Sequence, residues 1–281
     1  MLTGTDRVRC RAVQLTVLGK SPAAPDAGGA NSGYLIQEGA FSLLLECGSG
    51  VFSRLREQLE PPDVDVVLIT HLHADHSSDL IPFSNALTYR YGGSGKRPLL
   101  LCPPGAQRAL TALGAVFGAA SLITGAFETR QYDPAQTLQL GPLSVSFAEV
   151  PHFVPTWACD LRASLPGTDG GNSVSRLTFG ADCGPNDAIV ELAKGSSTLM
   201  LEATEGPRSP VPPIPPNRER KGGRGHLSAQ EAGLIAQRAG VERLLITHYS
   251  DECDRAELIS CAQEHFSGVV ELVCDGAVYT I

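Results

Sequence analysis

None of the eight cysteines stands in a Cys-x-x-Cys pair, so neither a zinc knuckle nor a redox dithiol is written into the chain. They are scattered at positions 10, 47, 102, 159, 183, 253, 261 and 274. Cys47, Cys102 and Cys274 sit in apolar, strand-like runs and are expected to be buried. Unpaired thiols of this kind fit a reducing, cytoplasmic setting. Positive charge is also in short supply. Twenty-two Lys and Arg against 30 Asp and Glu leave a formal net charge of −8, which excludes a general attraction to nucleic acid or to an anionic membrane. No apolar signal core is visible in Met1 to Arg11, and no repeat of fixed period runs through the chain. One stretch, Ala109 to Phe127, is uncharged and approaches a membrane span in length. Gly114, Gly118 and Gly125 interrupt it, so it is expected to form a buried helix followed by a loop. A dimer face or a pocket lid remains open for it.

What is present is an ordinary globular composition, 42% hydrophobic and 19% charged over 281 residues. Residues 1–281 are expected to form a single domain with a sizeable core. Val13, Leu15 and Val17 alternate with Gln14 and Thr16, as in a half-buried strand. Val64 to Ile69 is almost continuously apolar, so both of its faces should be covered. Phe52 to Leu59, Leu80 to Tyr91, Asn186 to Ala193 and Glu257 to Phe266 read as helices. Ser228-Ala229-Gln230-Glu231 is a capping-box pattern opening another. Strands come in clusters with helices between them. This rhythm predicts an α/β fold, an αβ/βα sandwich of two mixed β-sheets packed face to face with helices on both outer faces.

The chemistry concentrates in Thr70-His71-Leu72-His73-Ala74-Asp75-His76. His71 and His73 are two apart, so an extended backbone points both to one side. Asp75 and His76 follow where the chain must turn. Imidazoles with an oxygen donor suit a transition metal. Four donors are too many for one catalytic ion that keeps an open position, and they suggest two ions side by side.

The motif His-x-His-x-Asp-His resembles the signature of the metallo-β-lactamase superfamily of binuclear metallohydrolases. The resemblance extends over most of the chain. Asn31-Ser32-Gly33-Tyr34-Leu35-Ile36 is similar to the opening hairpin, and Leu45-Glu46-Cys47-Gly48 to the next strand and turn, where relatives commonly carry Asp in place of Glu46. Pro151-His152, Gly180-Ala181-Asp182 and Thr247-His248 resemble the later ligand segments. The resemblance implies two divalent metal ions, zinc first, with manganese, iron or cobalt also compatible. His71, His73 and His152 would hold one, and Asp75, His76 and His248 the other, with Asp182 bridging.

Such a pair activates water as hydroxide, with Asp75 orienting it. Glu202 and His226 resemble the Glu–His pair of ribonuclease Z and related phosphodiesterases, with the imidazole as proton donor. The bland alternatives are an exposed strand-end charge for Glu202 and a turn or cap beside Ser228 for His226. Only 29 residues separate His152 from Asp182, too few for the tRNA-gripping arm that ribonuclease Z carries there. The expectation is therefore a phosphodiesterase on a small substrate such as a cyclic nucleotide. A thioesterase or lactonase, ribonuclease Z-like RNA processing, and a non-catalytic binding protein are the alternatives, and a homodimer is left open. Residues 206–225 form a proline-rich basic loop. Its Arg218, Arg220, Lys221 and Arg224 are candidate substrate contacts. Arg162 is a further candidate for the pocket, and His265 is assigned to the surface.

Overall fold

The computed structural model describes residues 12–92, 96–166, 172–209 and 224–281. In chain order the elements are β1 (Gln14–Gly19), β2 (Gly33–Glu38), β3 (Phe41–Leu45), α1 (Val51–Gln58), β4 (Val66–Leu68), α2 (Ala74–Ser77), α3 (Leu80–Asn85), β5 (Leu99–Cys102), α4 (Ala106–Val116), α5 (Leu122–Ala126) and β6 (Glu128–Gln131). The second half supplies β7 (Leu138–Leu140), β8 (Leu143–Val150), β9 (Thr156–Pro166), β10 (Asn172–Phe179), α6 (Asp187–Ala193), β11 (Thr198–Glu202), α7 (Ala229–Ala239), β12 (Arg243–Thr247), α8 (Arg255–Gln263), β13 (Val269–Leu272) and β14 (Val278–Thr280).

Two seven-stranded mixed sheets result, ordered β14-β1-β2-β3-β4-β5-β6 and β13-β12-β11-β10-β9-β8-β7. Side chains alternate across each strand, and that alternation builds the layers. Leu43, Leu45 and Leu68 point inward with Met200 and Leu245 of the other sheet, forming the central core. Their neighbours Leu44 and Val67 point outward against Leu55, Phe83 and Leu110 of α1, α3 and α4. On the far side Leu199, Leu201, Leu244 and Ile246 pack beneath α6, α7 and α8. The expected sandwich is the fold.

Differences from the sequence reading have local causes. β9 went unread because Asp160 and Arg162 interrupt its apolar pattern. In the fold Asp160 is fully buried and accepts hydrogen bonds from Arg176 Nε (2.8 Å), Thr178 Oγ1 (2.8 Å) and Arg162 Nε (2.6 Å). A charge so paired is tolerated inside a sheet. Asp160→Ala is expected to cost about 3–5 kcal/mol by leaving Arg176 uncompensated, measured by urea unfolding; a loss below about 1 kcal/mol would refute this account. The segment from 109 to 127 is two short helices, α4 and α5, each burying one face. No described helix is long and apolar enough to cross a membrane. Helix α3 stops at Asn85 and continues to Arg90 as a wider turn. Cys274 is exposed, contrary to expectation, because it follows β13 into a turn at the surface.

Parallel pairing of β3 with β4, and of β10, β11 and β12, brings the carboxyl ends of these strands to one edge of the sandwich. β8 runs the same way, since β9 is antiparallel to both β8 and β10. The segments following β3, β4, β8, β10, β11 and β12 all emerge there.

Candidate metal centre

His71 to His76 form the loop after β4 and the single turn of α2, with His73 at its N-cap. His152 follows β8, Asp182 follows β10 and His248 follows β12. The structure brings these seven side chains together although they are distant along the chain. His71, His73, His152 and Asp182 form one donor group, and Asp75, His76, Asp182 and His248 a second. Within each group the donor atoms lie within 4.8 Å of one another. Asp182 belongs to both, with Oδ1 3.3 Å from His76 Nε2 and Oδ2 3.6 Å from His248 Nε2, 3.9 Å from His152 Nε2 and 4.0 Å from His71 Nε2.

Surrounding groups fix which nitrogen of each ring faces inward. His71 Nδ1 is 3.0 Å from Thr70 Oγ1. His152 Nδ1 donates to the Gly225 carbonyl at 2.7 Å. His248 Nδ1 donates to Thr204 Oγ1 at 2.8 Å. In each case Nε2 is left as the inward-facing nitrogen, the arrangement that orients imidazoles toward a metal. Behind His76 stands Glu46, whose Oε2 lies 3.6 Å from His76 Nδ1 and whose Oε1 accepts the Thr70 N–H at 3.2 Å. A Cβ at Gly225 would lie 2.6 Å from the Phe153 ring, so any larger residue there would have to displace that ring.

The metal fit can be judged from stranded atoms. His71 Nε2 and His76 Nε2 are buried with no hydrogen-bond partner. His76 Nε2 is near Asp182 but without hydrogen-bond geometry. A buried polar atom left unpaired costs about 1–3 kcal/mol, and inward-facing imidazole nitrogens grouped around a carboxylate are what two divalent cations would satisfy. The charges agree. Burial, aided by the neighbouring His76, holds His71 well below the ordinary histidine range. Burial also takes His152 down to about 3, so both stay neutral donors. Asp182 resists the upward push of burial because His248 and His76 hold its carboxyl well below the usual range. Asp75 is held at about 2 against burial by the His248 hydrogen bond.

Beside this cluster, His226 Nδ1 sits 3.0 Å from both Glu202 oxygens. Glu202 is 1% exposed and also accepts the Cys183 N–H at 2.7 Å and the Thr204 hydroxyl. It is therefore no exposed strand-end charge. Ser228, not His226, caps α7. Burial disfavours a charged His226, but the Glu202 carboxylate outweighs it and pushes the pKa up to about 9. Among the described residues, three non-glycine residues stand in the left-handed region, Glu46, Ala181 and His248 (φ 62°, 52° and 50°), and all lie at this edge. Such backbone persists only where its surroundings fix it.

A cavity of about 320 Å³ opens over the cluster, lined by Ala23, His73, Asp75, Asp182, His226 and His248 among others. A shallower depression of about 780 Å³ on α4 has no histidine, cysteine or carboxylate in its lining, so size alone does not mark the site. Arg224 pairs with Glu231 and Arg162 with Asp160, and neither lines the cavity. Arg218, Arg220 and Lys221 lie outside the described residues. Sequence reasoning passed over the anchors Thr70, Thr204 and the Gly225 carbonyl. Only the adjacency of Thr70 to His71 and of Gly225 to His226 signalled two of them.

Comparison with known proteins gives a consistent picture. Residues 41–249 match the family described as "Beta-lactamase superfamily domain". The chain is 32% identical over 268 residues to the uncharacterized protein Rv1339 of Mycobacterium tuberculosis, covering 94% of this chain and 90% of that one. It is 29% identical to the probable metallo-hydrolase YhfI of Bacillus subtilis, covering 95% and 99%. The crystal structure of YhfI superposes with a TM-score of 0.78 at 26% identity, again over 95% and 99%. Ribonuclease Z of Mycobacterium bovis is 26% identical, covering 92% and 95%.

Proposed function

The chain belongs to the metallo-β-lactamase superfamily, and from that premise we propose that it is a metal-dependent phosphodiesterase acting on a small phosphodiester such as a cyclic nucleotide. The observation that supports this reading best is the Glu202–His226 pair set at the rim of the donor cluster. His71, His73 and His152 would hold one divalent cation, Asp75, His76 and His248 a second, and Asp182 both. When bound, the cations supply an ionised water as nucleophile and neutralise charge at the phosphorus.

The chain's own groups do the rest. Asp75 faces the cavity with Oδ2 3.2 Å from His248 Nε2, so its carboxylate is positioned to orient an attacking water. Glu202 holds the proton on His226 Nδ1 and stabilises the imidazolium. The free Nε2 is then the donor for the leaving oxygen. An alkoxide leaving group needs that proton, whereas the thiolate released from a thioester is a stable anion and does not.

Two features weigh against the other readings. The interval from His152 to Asp182 is taken up by the β9–β10 hairpin of the second sheet, which supports a substrate smaller than tRNA. Helices α4 and α5 pack against the outer face of the first sheet, away from the cavity, so they provide no acyl-chain tunnel for a thioesterase.

The test is a hydrolysis screen of zinc- and manganese-loaded protein against cyclic nucleotides, bis-p-nitrophenyl phosphate, acyl thioesters and lactones. Phosphodiesters are expected to turn over, with activity lost on chelation and regained on adding the cation back. Turnover of thioesters or lactones alone would overturn the proposal.

A further inference from the structure

His248 leaves the second sheet, yet the group that grips the chain beyond it belongs to the first. Lys20 follows β1 directly, and only 5% of its side chain is exposed. Its ammonium donates to Asp26 Oδ2 (2.6 Å), Asp251 Oδ1 (2.9 Å) and the Tyr249 carbonyl (3.0 Å). These three acceptors use all three of its N–H groups. The same ammonium lies 4.1 Å from the centre of the Tyr249 ring. Asp26 is tied down in turn by the Ser21 hydroxyl (2.9 Å) and the Asp251 N–H (2.9 Å). Ala23, within the loop that Lys20 and Asp26 close, lines the cavity over the donor cluster.

A buried ammonium between carboxylates is an unfavourable way to gain stability alone. Here it holds the residue directly after a ligand in left-handed backbone, at φ 50°. We propose that Lys20 is a positioning residue for His248. By bolting Tyr249 and Asp251 to the 20–26 loop, it keeps His248 Nε2 directed at Asp75 and Asp182 and so sets the cation affinity of the second donor group. His71 and His152 are anchored elsewhere, through Thr70 and Gly225, and are independent of it. This inference rests on the metal-dependent reading above.

The experiment counts zinc per chain by elemental analysis after dialysis against graded chelator, with circular dichroism to monitor the fold. Wild type, Lys20→Met, Lys20→Arg and Asp251→Asn are compared. The wild type is expected to hold two ions. Lys20→Met should keep one and bind the other at least ten-fold more weakly, Lys20→Arg should recover part of the loss, and Asp251→Asn, altered at an exposed partner, should fall between. If Lys20→Met does not fold, Asp251→Asn decides, and selective weakening of one ion supports the proposal. Two ions at wild-type affinity in the folded variants, or equal weakening of both, overturns it. A wild type that holds no ion overturns the metal-dependent reading and this inference with it.

Discussion

Asp182→Ala is expected to abolish turnover and to empty both cation positions. Asp182 is the one carboxylate common to the two donor groups, and it is buried. Removing a partner that merely orients a ligand already weakens metal binding about 10–100-fold. Removing a direct donor to two ions at once should exceed that for each of them. Calorimetric zinc titration measures the affinities, and the screen above measures turnover. Asp182→Asn keeps the shape and removes the charge, so it separates packing from electrostatics. The pH dependence of the metal-free protein is a second handle. His248 and His76 hold the Asp182 carboxyl down despite burial. Its stabilising contribution is thus present above the usual carboxylate range and lost as pH falls through the depressed value. A variant that retained two tightly held ions would remove Asp182 from the site.

His226→Ala is expected to lower turnover of a cyclic nucleotide about 10²–10⁴-fold, the usual contribution of a positioned proton donor. Both ions should stay bound, because His226 belongs to neither principal donor group. Bis-p-nitrophenyl phosphate should suffer much less, since its leaving group departs as a stable anion and needs no proton. An equal loss on both substrates would mean that His226 binds substrate and does not donate. The donor's proton can also be followed directly in metal-free protein by nuclear magnetic resonance. Burial lowers His226, and the Glu202 charge and hydrogen bond more than reverse this, giving about 9. The protonated form should therefore persist through neutral pH and be lost as pH rises through about 9. Cations held by the donor groups would repel that proton and move the transition down. Glu202→Gln removes the main upward influence and leaves only Asp182 and Glu205 to oppose burial, so the transition should move down from about 9.

The donor cluster was legible because its chemistry demands particular side chains at short spacing. His71, His73, Asp75 and His76 stand within six positions, and no packing role asks for three imidazoles at a strand end. The layered fold was legible from the alternation of Val13 to Val17 and from continuous apolar runs such as Val66 to Ile69. β9 was hidden because its charges are neutralised by Arg176 from a neighbouring strand, information no local window contains. The short strands β6, β7 and β14 are too brief to show a period. Thr204 and Lys20 were invisible as participants for a different reason. A hydroxyl that orients a ring and an ammonium that bolts two loops have no preferred spacing from the residues they serve. Their roles exist only once distant segments meet.

That meeting has a consequence for how the protein comes to be active. Its donors are drawn from one edge of both sheets, starting at His71 and finishing at His248. During synthesis the early imidazoles emerge from the ribosome long before their partners exist. The full set of donors comes together only after β12 has docked, so a cation held by both groups would report that the two halves of the chain have found each other.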